Sequence, residues 1–358
     1  MTETMPSARR RVAVLGATGA VGQAFIRLLA DHPWFELAEV AASERSAGRP
    51  YAEAARWIGD APMPDCVASM TVLPCDPKRV SADIVFSALD SSIAGDAEMA
   101  FAGAGKVVLS NAKNHRMEPD VPLVIAEVNA AHLRVLESQR KKRGWRGGIV
   151  TNGNCATIVA ALALAPVHER FGLRRVILAT MQAVSGAGYP GVPSLDILGN
   201  VIPLIRDEEP KIESELQKFL GRVGAGVIES ASFPVSAHAN RVPVEHGHTI
   251  CISAELEEKA DATTVQRAVE QWTGDPLVRG LPSAPERPVI LASEPDRPQP
   301  RRDVNLGRGM SVVVGRVRRD SVFDVKLVAM GHNIIRGAAG ASVLNAELLV
   351  RGGMLDDA

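Results

Sequence analysis

Long hydrophobic runs, cysteines and an excess of charge of one sign are all absent or scarce in this sequence of 358 residues. The four cysteines, at positions 66, 75, 155 and 251, form no CxxC pair. Their scatter argues against a zinc knuckle or a disulfide scaffold and favours a reducing compartment. The net charge of −1 gives no general attraction to nucleic acid or to an anionic membrane.

No stretch approaches the length of a membrane span, and the N-terminal MTETMPSARRR lacks the apolar core of a signal peptide. We therefore expect a cytoplasmic protein with no membrane or nucleic-acid partner and no metal site. The basic run at 140–143 is most simply a solvated loop. With 46% hydrophobic and 23% charged residues, the chain has ample core material for two domains.

A glycine-rich turn follows the first predicted strand. Residues 11–15 form a short apolar run that stops at GATGAVG, residues 16–22, and an amphipathic stretch follows at 23–30. In such a strand–helix turn one glycine makes the bend, one lets the backbone approach a pyrophosphate and one allows close helix packing. The pattern predicts a dinucleotide site, with an ordinary glycine-rich turn as the alternative. Its candidate residues are Gly16, Thr18, Gly19, Ala20, Val21 and Gly22.

The segment after the second predicted strand, 35–42, bears on the choice of dinucleotide. Ser43, Arg45 and Ser46 offer hydroxyls and a guanidinium that suit a 2′-phosphate better than a bare ribose. Glu44 favours NAD instead, because an acidic side chain there can accept a hydrogen bond from a ribose hydroxyl. The segment favours NADP over NAD, and a plain solvated loop is the remaining interpretation.

Two further apolar runs, 82–89 and 106–111, continue a strand–helix alternation over about the first 150 residues. This alternation predicts a doubly wound parallel sheet, with function at the carboxyl ends of its strands. Ser87, near one such end, is a candidate cofactor contact, and Asp90 is a natural helix cap. Arg116, a few residues past another end, is placed to meet an anion, although a surface arginine is an equally good interpretation.

The stretch TNGNCATIV, residues 151–159, runs from an apolar strand into an alanine- and leucine-rich helix. Asn152 or Asn154 can cap that helix, which places Cys155 in its first turn. The unpaired N–H groups and the dipole there favour a thiolate, so Cys155 is a candidate nucleophile. The alternative is a small buried apolar residue, as most cysteines are.

The second half of the sequence has a different pattern. A long strand at 175–184 ends in a glycine-rich segment, 185–191, that suits close approach by a ligand. The remaining predictions are a helix opening at 207, strands at 242–244 and 249–252 flanking a turn at 245–248, a loop or covering arm at 282–303, strands at 310–317 and 322–329, and a helix at 334–350. We expect an α/β fold with a Rossmann-type NADP-binding domain (1–150), an α+β catalytic and dimerisation domain (151–330), and a C-terminal helix (331–358) returning to the first domain.

Along nearly its entire length the sequence resembles the aspartate-semialdehyde dehydrogenases of archaea and fungi. The motifs that carry the resemblance are GATGAVG at 16–22, AASERSAG at 41–48, NGNCATI at 152–158, MQAVSGAGYPG at 181–191, RVPVEHGHT at 241–249 and RGAAGASVLNAELL at 336–349. The resemblance implies an NADP-dependent enzyme that reductively dephosphorylates aspartyl phosphate to aspartate 4-semialdehyde, on the route to lysine, methionine and threonine. It also implies a homodimer or homotetramer.

The resemblance further assigns roles to individual residues. Cys155 resembles the nucleophile that forms a thioester, His248 the acid/base, and Gln182 the residue that orients the acyl group. Arg241 resembles the residue that holds the substrate carboxylate, while Arg116 and Lys211 resemble the pair that binds phosphate. The other implied contacts are Asn154 and either Glu208 or Glu209 for the substrate, and Ser185, Gly186 and Asn333 for the cofactor. By itself, His248 would be interpreted as a surface residue in a turn.

Two departures and two alternatives accompany the resemblance. Gly153 stands where the family usually has proline, and we expect it to loosen the turn that aims Cys155. Ala156 replaces the more usual serine or threonine and removes a hydroxyl donor.

One alternative function is a malonyl-CoA or succinyl-CoA reductase on the same scaffold, whose substrate has no amino group. The other is an NADP-sensing scaffold protein, which would have lost Cys155 or His248.

Overall fold

The computed structural model describes residues 8–355, and predictions for residues 1–7 and 356–358 lie outside this range. The described chain forms two six-stranded sheets with helices packed against them. No helix between residues 8 and 355 is both long and apolar enough to cross a membrane. The domain boundaries predicted after residues 150 and 330 remain predictions.

The first sheet is parallel throughout, with strand order β3-β2-β1-β4-β5-β6. This is the order of doubly wound dinucleotide-binding folds, so the predicted fold class is confirmed. Its elements are β1 (Arg10–Leu15), α1 (Ala20–Leu29), β2 (Phe35–Ala42), α2 (Tyr51–Ala54), α3 (Asp65–Ala68), β3 (Leu73–Pro74), β4 (Ile84–Ser87), α4 (Ser91–Gly103), β5 (Val107–Ser110), α5 (Ala126–Asn129), α6 (Val135–Arg143) and β6 (Gly148–Thr151).

The second sheet is mixed, with strand order β10-β7-β11-β14-β13-β12. Its outer pairs β10–β7 and β12–β13 are parallel, and the inner pairs are antiparallel. The elements of this half are α7 (Cys155–Phe171), β7 (Leu173–Gln182), α8 (Ser194–Ile197), α9 (Glu208–Phe219), β8 (Arg222–Gly224), β9 (Val227–Glu229), β10 (Val235–Arg241), β11 (His248–Leu256), α10 (Ala262–Gln271), β12 (Val289–Leu291), α11 (Pro300–Asp303), β13 (Val312–Arg319), β14 (Val325–Gly331) and α12 (Gly340–Arg351).

Two buried helices connect these layers. The long helix α7 is apolar on all sides and packs between the second sheet and α9, as a helix without a polar face must. A π-helical turn, Ile335–Ala339, leads into α12, whose Val343, Leu344 and Leu348 share a core with Phe25 of α1. The predicted return of the C-terminal helix to the first domain is therefore confirmed.

Three local predictions are wrong. The predicted strand at 242–244 is irregular, and the strand lies just before it as β10, because Pro243 has no N–H for a ladder bond. His248 is the first residue of β11, not part of a turn. The arm at 282–303 contains β12 and α11.

The basic run at 140–143 was also predicted wrongly as a loop. It forms the last turn of α6, where Arg143 donates to both oxygens of the Asp120 carboxylate. A buried acid thus fixes a segment that its composition indicates to be solvated.

Candidate active site

Three strand ends meet at one edge of the second sheet. Arg241, at the end of β10, lies opposite Gln182 at the end of the parallel neighbour β7. The antiparallel strand β11 starts at this edge with His248, since Thr249 pairs with Met181. All three side chains are buried, with His248 at 0% exposure. The sheet topology therefore brings together residues that are far apart in the sequence.

Cys155 lies over this edge at the first residue of α7. Asn154 caps the helix, because its Oδ1 accepts from the N–H groups of Ala156 and Thr157, both at 3.0 Å. The other side of Cys155 faces the π-helical turn, where a Cβ on Gly337 would lie 2.5 Å from the Cys155 Cβ. The nucleophile predicted from the sequence is thus held in one place, with room for only a glycine beside it.

Cys155 and His248 are in direct contact. Sγ lies 3.1 Å from Nε2 of His248. The N–H of Ala183 donates to Nδ1 of the same ring at 3.1 Å. A ring nitrogen that accepts carries no proton, so the neutral His248 holds its proton on Nε2 and directs it at the sulfur.

Both groups are neutral in the free protein. Burial raises the pKa of the Cys155 thiol to about 12, and the nearby Glu208 carboxylate adds to this rise. Arg116 and Arg241 oppose it without cancelling it. Burial lowers the pKa of His248 to about 3. The expected stabilisation of a thiolate by the helix end is therefore wrong for the resting state, because burial outweighs it.

A set of charged side chains surrounds the thiol. Arg241 is buried and donates from Nη1 to the Ala183 carbonyl at 2.8 Å. Glu208 accepts from Asn154 Nδ2 at 2.8 Å, and its other oxygen lies 3.5 Å from Lys211 Nζ. Two cations and one carboxylate thus face the pocket, Arg241 from β10 and both Lys211 and Glu208 from α9.

Only one of the two candidate glutamates points into this pocket. Glu209 accepts from the N–H of Ala239 at 3.0 Å and so fastens α9 to β10. Glu208, one residue earlier, is buried beside Asn154 and Lys211. The geometry separates two residues that the sequence alone could not.

The glycine loop has the close contacts that the dinucleotide pattern requires. Gly16 has a φ of +71°, and a Cβ there would lie 2.4 Å from the Ala88 carbonyl oxygen. A Cβ on Gly22 would lie 2.3 Å from the Gly16 carbonyl oxygen. Thr18, Gly19, Ala20 and Val21 form the rest of the turn and the start of α1. The loop therefore fits a pyrophosphate at the helix N-terminus.

The other predicted cofactor residues divide into two groups. Ser43 and Arg45 are exposed after β2, whereas Ser46 is buried and closes a turn onto the Ser43 carbonyl. Ser87 is fully buried and donates to Glu98 at 2.6 Å, so its hydroxyl is turned away from the cleft. The assignment of Ser87 as a cofactor-binding residue stays a prediction.

The last predicted cofactor contacts lie near Cys155 and His248. Ser185 Oγ accepts from Asn333 Nδ2 at 2.8 Å, and Asn333 Oδ1 accepts from the Gly247 N–H. Gly186 packs so closely on His248 that an added Cβ would lie 3.0 Å from its Cε1. These residues shape the wall beside the thiol, and a side chain at 186 would intrude on it.

Gly153 does not loosen the turn before Cys155. A Cβ at this position would lie 2.3 Å from Cζ of Phe219 and 3.1 Å from Oε2 of Glu215. Only a glycine fits here, because the Phe219 ring of α9 fills the space beside the turn. The loosening of the turn that we expected is therefore absent.

The sequence reasoning missed three residues that hold the site. Glu215 and Lys218 of α9 are buried beside Arg116, and Tyr51 donates from Oη to the Ala17 carbonyl in the glycine loop at 2.8 Å. Charges at positions 208, 211, 215 and 218 follow helical spacing, which usually indicates a solvated face. Here that face is turned inwards.

Both halves of the chain match models of the semialdehyde dehydrogenases. Residues 11–136 match the NAD binding domain of these enzymes, and residues 164–336 match their dimerisation domain. The first match thus falls on the parallel sheet, and the second falls on the mixed sheet.

Comparison with individual proteins shows which semialdehyde dehydrogenases and related reductases are similar to this chain. The chain is 52% identical to an aspartate-semialdehyde dehydrogenase of Archaeoglobus fulgidus, over 96% of this chain and 98% of that one. It superposes on the Candida albicans aspartate-semialdehyde dehydrogenase solved with NADP, with a TM-score of 0.88 and 41% identity, covering 96% of this chain and 99% of the other. A malonyl CoA reductase (NADP) of Metallosphaera sedula is 40% identical over 97% of this chain and 98% of that one. The chain belongs to the aspartate-semialdehyde dehydrogenase family.

Proposed function

We propose that this protein interconverts 4-phospho-L-aspartate and L-aspartate 4-semialdehyde, with NADP as cofactor and inorganic phosphate as the second product. The observation that carries the proposal is the contact of 3.1 Å between Cys155 Sγ and His248 Nε2, inside a pocket lined by Arg241, Lys211 and Glu208. A thiol, a proton donor and charges for a phosphorylated amino acid are what this reaction needs.

The first step is acyl transfer to Cys155. The sulfur attacks the acyl carbon, the bond from that carbon to the phosphate oxygen breaks, and a thioester forms. The thiol proton ends on the released phosphate. His248 supports this step by donating its Nε2–H to the sulfur as charge builds there, which stabilises an anion that the buried pocket otherwise disfavours.

The second step is reduction of the thioester. Bound NADPH supplies the hydride. The oxygen of the resulting hemithioacetal lies next to the sulfur, within reach of the His248 Nε2–H, which stabilises the developing charge. When the carbonyl re-forms, the carbon–sulfur bond breaks and Cys155 regains a proton that comes from solvent. Gln182, buried at the same sheet edge, orients the acyl oxygen.

Charged residues select the substrate. Arg241 binds the α-carboxylate with its guanidinium, and Arg116 and Lys211 bind the phosphate. Glu208 binds the α-amino group and is itself held by Asn154. On the cofactor side, Gly16, Gly19 and Gly22 accommodate the pyrophosphate, and Arg45 with Ser43 binds the 2′-phosphate.

A malonyl-CoA reductase is the second candidate, favoured by the 40% identity to an enzyme of that name. Its substrate has no amino group, so the buried Glu208 carboxylate would have no substrate cation to bind and would keep only its contacts with Lys211 and Asn154. Glu208 is 6% exposed and faces the pocket, which supports the aspartyl substrate.

An assay of purified protein separates these functions. We expect NADP reduction with aspartate semialdehyde that requires inorganic phosphate and is abolished by Cys155→Ala. Oxidation of NADPH with malonyl-CoA alone would contradict the aspartyl substrate. NADP binding without either reaction would contradict an enzyme and favour a scaffold protein.

We further propose a cytoplasmic homo-oligomer. All four cysteines are free thiols, as in a reducing compartment. Leu195, Leu198 and Leu204 form an exposed apolar segment before α9, with Leu195 at 92% exposure. Monomeric proteins seldom expose such a segment, and a second copy of the chain would cover it.

The oligomer is tested by Leu195→Asp combined with Leu204→Asp, measured by light scattering after gel filtration. Charges in an apolar interface are costly, so we expect a smaller assembly. The same pair of changes at Ile93 and Val322, two exposed apolar residues elsewhere, is the control. An unchanged mass in the Leu195 and Leu204 variant would contradict this interface.

A further inference from the structure

One buried carboxylate connects the arginine of the pocket to the loop of the nucleophile. Oε1 of Glu215 accepts from Arg116 Nη1 at 2.9 Å, and Oε2 accepts from the backbone N–H of Asn154 at 2.5 Å. Glu215 is 2% exposed. A charge buried this deeply is stable only when its partners are in place, so its two contacts depend on each other.

A buried lysine one turn later on α9 holds the same arginine through its backbone. Lys218 Nζ donates to the carbonyl oxygens of Arg116, Glu118 and Val121, at 2.6, 2.7 and 2.9 Å. Its three protons therefore meet three acceptors from a single loop. This loop carries Arg116 away from the end of β5 towards the pocket.

Arg116 uses two of its five N–H donors within this framework. Nη1 donates to Glu215 and Nη2 donates to the Asn111 carbonyl at 2.7 Å. Nε is buried and has no hydrogen-bond partner among the described residues. A buried N–H without a partner is costly, and an anionic oxygen of a ligand would satisfy it.

We propose that Glu215 and Lys218 are positioning residues that hold Arg116 in register with the Cys155 loop, so that the remaining N–H donors of Arg116 meet the phosphate of the substrate. The inference rests on the proposed function of this pocket and extends it to two residues without a role there. Neither residue touches the reacting atoms, and both act through Arg116.

The test is Glu215→Gln, which keeps the shape of the side chain but can accept from only one of its two present donors. We expect kcat/KM for phosphate to fall about tenfold, mainly through KM. KM for NADP should stay within about twofold, since the cofactor loop is unaffected. The matched control is Glu213→Gln on the same helix, where the carboxylate accepts from Ala237 N–H outside the pocket.

A double-mutant cycle shows whether Glu215 acts through Arg116. In an Arg116→Ala background, Glu215→Gln should change KM for phosphate by less than about twofold.

Glu215→Asp provides a second variant that keeps the charge but withdraws it by one methylene group. In the protein that retains Arg116, this variant should raise KM for phosphate. Lys218→Arg, which alters the loop contacts while keeping a cation, should do the same.

Three outcomes would overturn the inference: an unchanged KM for phosphate in all three variants, an equal effect in Glu213→Gln, or a full effect without Arg116. Calorimetric titration of the free enzyme with inorganic phosphate gives a readout independent of turnover. Failure of the wild-type enzyme to show phosphate-dependent activity would contradict the proposed function. Weaker phosphate binding confined to the Glu215 and Lys218 variants would still support the positioning role.

Discussion

At the nucleophile, a helix end and a buried pocket act on the same thiol in opposite directions. The first turn of α7 favours a negative charge on Cys155, but the capping side chain of Asn154 already accepts from the Ala156 and Thr157 N–H groups. Burial then dominates and raises the pKa of the thiol to about 12. We therefore expect the reactive anion to form only with substrate in place and His248 donating to it.

The first prediction concerns the reactivity of Cys155 in the free enzyme. We expect its alkylation by iodoacetamide to keep accelerating from pH 7 to beyond pH 9, because the thiolate fraction still grows there. The rate is measured by mass spectrometry of the Cys155 peptide. The same peptide in unfolded protein, where a thiol titrates near pH 8.5, is the control. A plateau at neutral pH in the folded enzyme would contradict a raised pKa.

The second prediction concerns Gly153 and Phe219. Gly153→Ala should destabilise the protein by about 1–3 kcal/mol, because the new Cβ would lie 2.3 Å from the ring. Phe219→Leu removes the obstructing atoms, so the double variant should be more stable than the sum of the single changes. Urea unfolding of the four proteins measures the coupling. Strict additivity would show that the two residues do not compete for this space.

The roles of individual residues differ in how well they could be predicted from the sequence. Cys155 and the glycines of the turn could be predicted because their roles depend on neighbours within a few residues. The roles of Glu208 and Glu209 could not be separated, since they depend on which side of α9 faces Asn154 and which faces β10. The hydrogen bond between Ser87 and Glu98 could not be predicted, because the two residues belong to different elements, β4 and α4.

Among the elements, α9 and the C-terminal segment have the largest effect on the site. Helix α9 carries Glu208, Lys211, Glu215 and Lys218 on one face, and all but the half-buried Lys211 are buried. The segment 335–351 presents Gly337 to Cys155 and is tied to α5 by an ion pair in which both Arg336 nitrogens Nη1 and Nη2 donate to Glu127, at 2.7 and 2.8 Å. Arg336 is 0% exposed.

The third prediction tests this ion pair. Arg336→Leu leaves the Glu127 carboxylate buried without its cation and should cost about 3–5 kcal/mol. Arg336→Leu combined with Glu127→Leu removes both charges and should cost less than the single change. Guanidinium unfolding measures both. A double variant less stable than Arg336→Leu would show that another partner stabilises the Glu127 carboxylate as strongly as Arg336 does.

Element types followed from sequence periodicity, whereas their ends did not. β1, β2 and α7 were predicted because apolar residues dominate each of them. β10 was not predicted because its polar residues alternate on an exposed face. Pro243 comes after this strand, inside the segment 242–244 that was predicted to be one. The π-helical turn at 335–339 has no local signal, since its geometry follows from the packing of Gly337 on Cys155.

For the whole molecule, buried neutral histidines set the response to acid. Burial lowers the pKa of His132, of His332 to about 4 and of His248 to about 3. The unfolded chain binds protons at these sites below about pH 6.5, while the folded chain does not. Their stabilising contribution is therefore complete above that pH and declines as the pH falls towards the folded-state pKa.

The fourth prediction is a steep acid dependence of stability. Between pH 6.5 and pH 4.5, each histidine that stays neutral should lower the free energy of unfolding by about 1.4 kcal/mol per pH unit. Urea unfolding at several pH values measures the slope. His248→Gln should make the slope shallower, and an identical slope in that variant would contradict a neutral buried His248.

The contact between Gly337 and Cys155 has a consequence for synthesis of the chain. The ribosome adds Cys155 long before Gly337, the residue that forms the wall beside it. The thiol therefore stays unshielded until the segment that contains Gly337 has been synthesised. Chaperones that bind nascent chains would meet a Cys155 loop that has not yet acquired its chemistry.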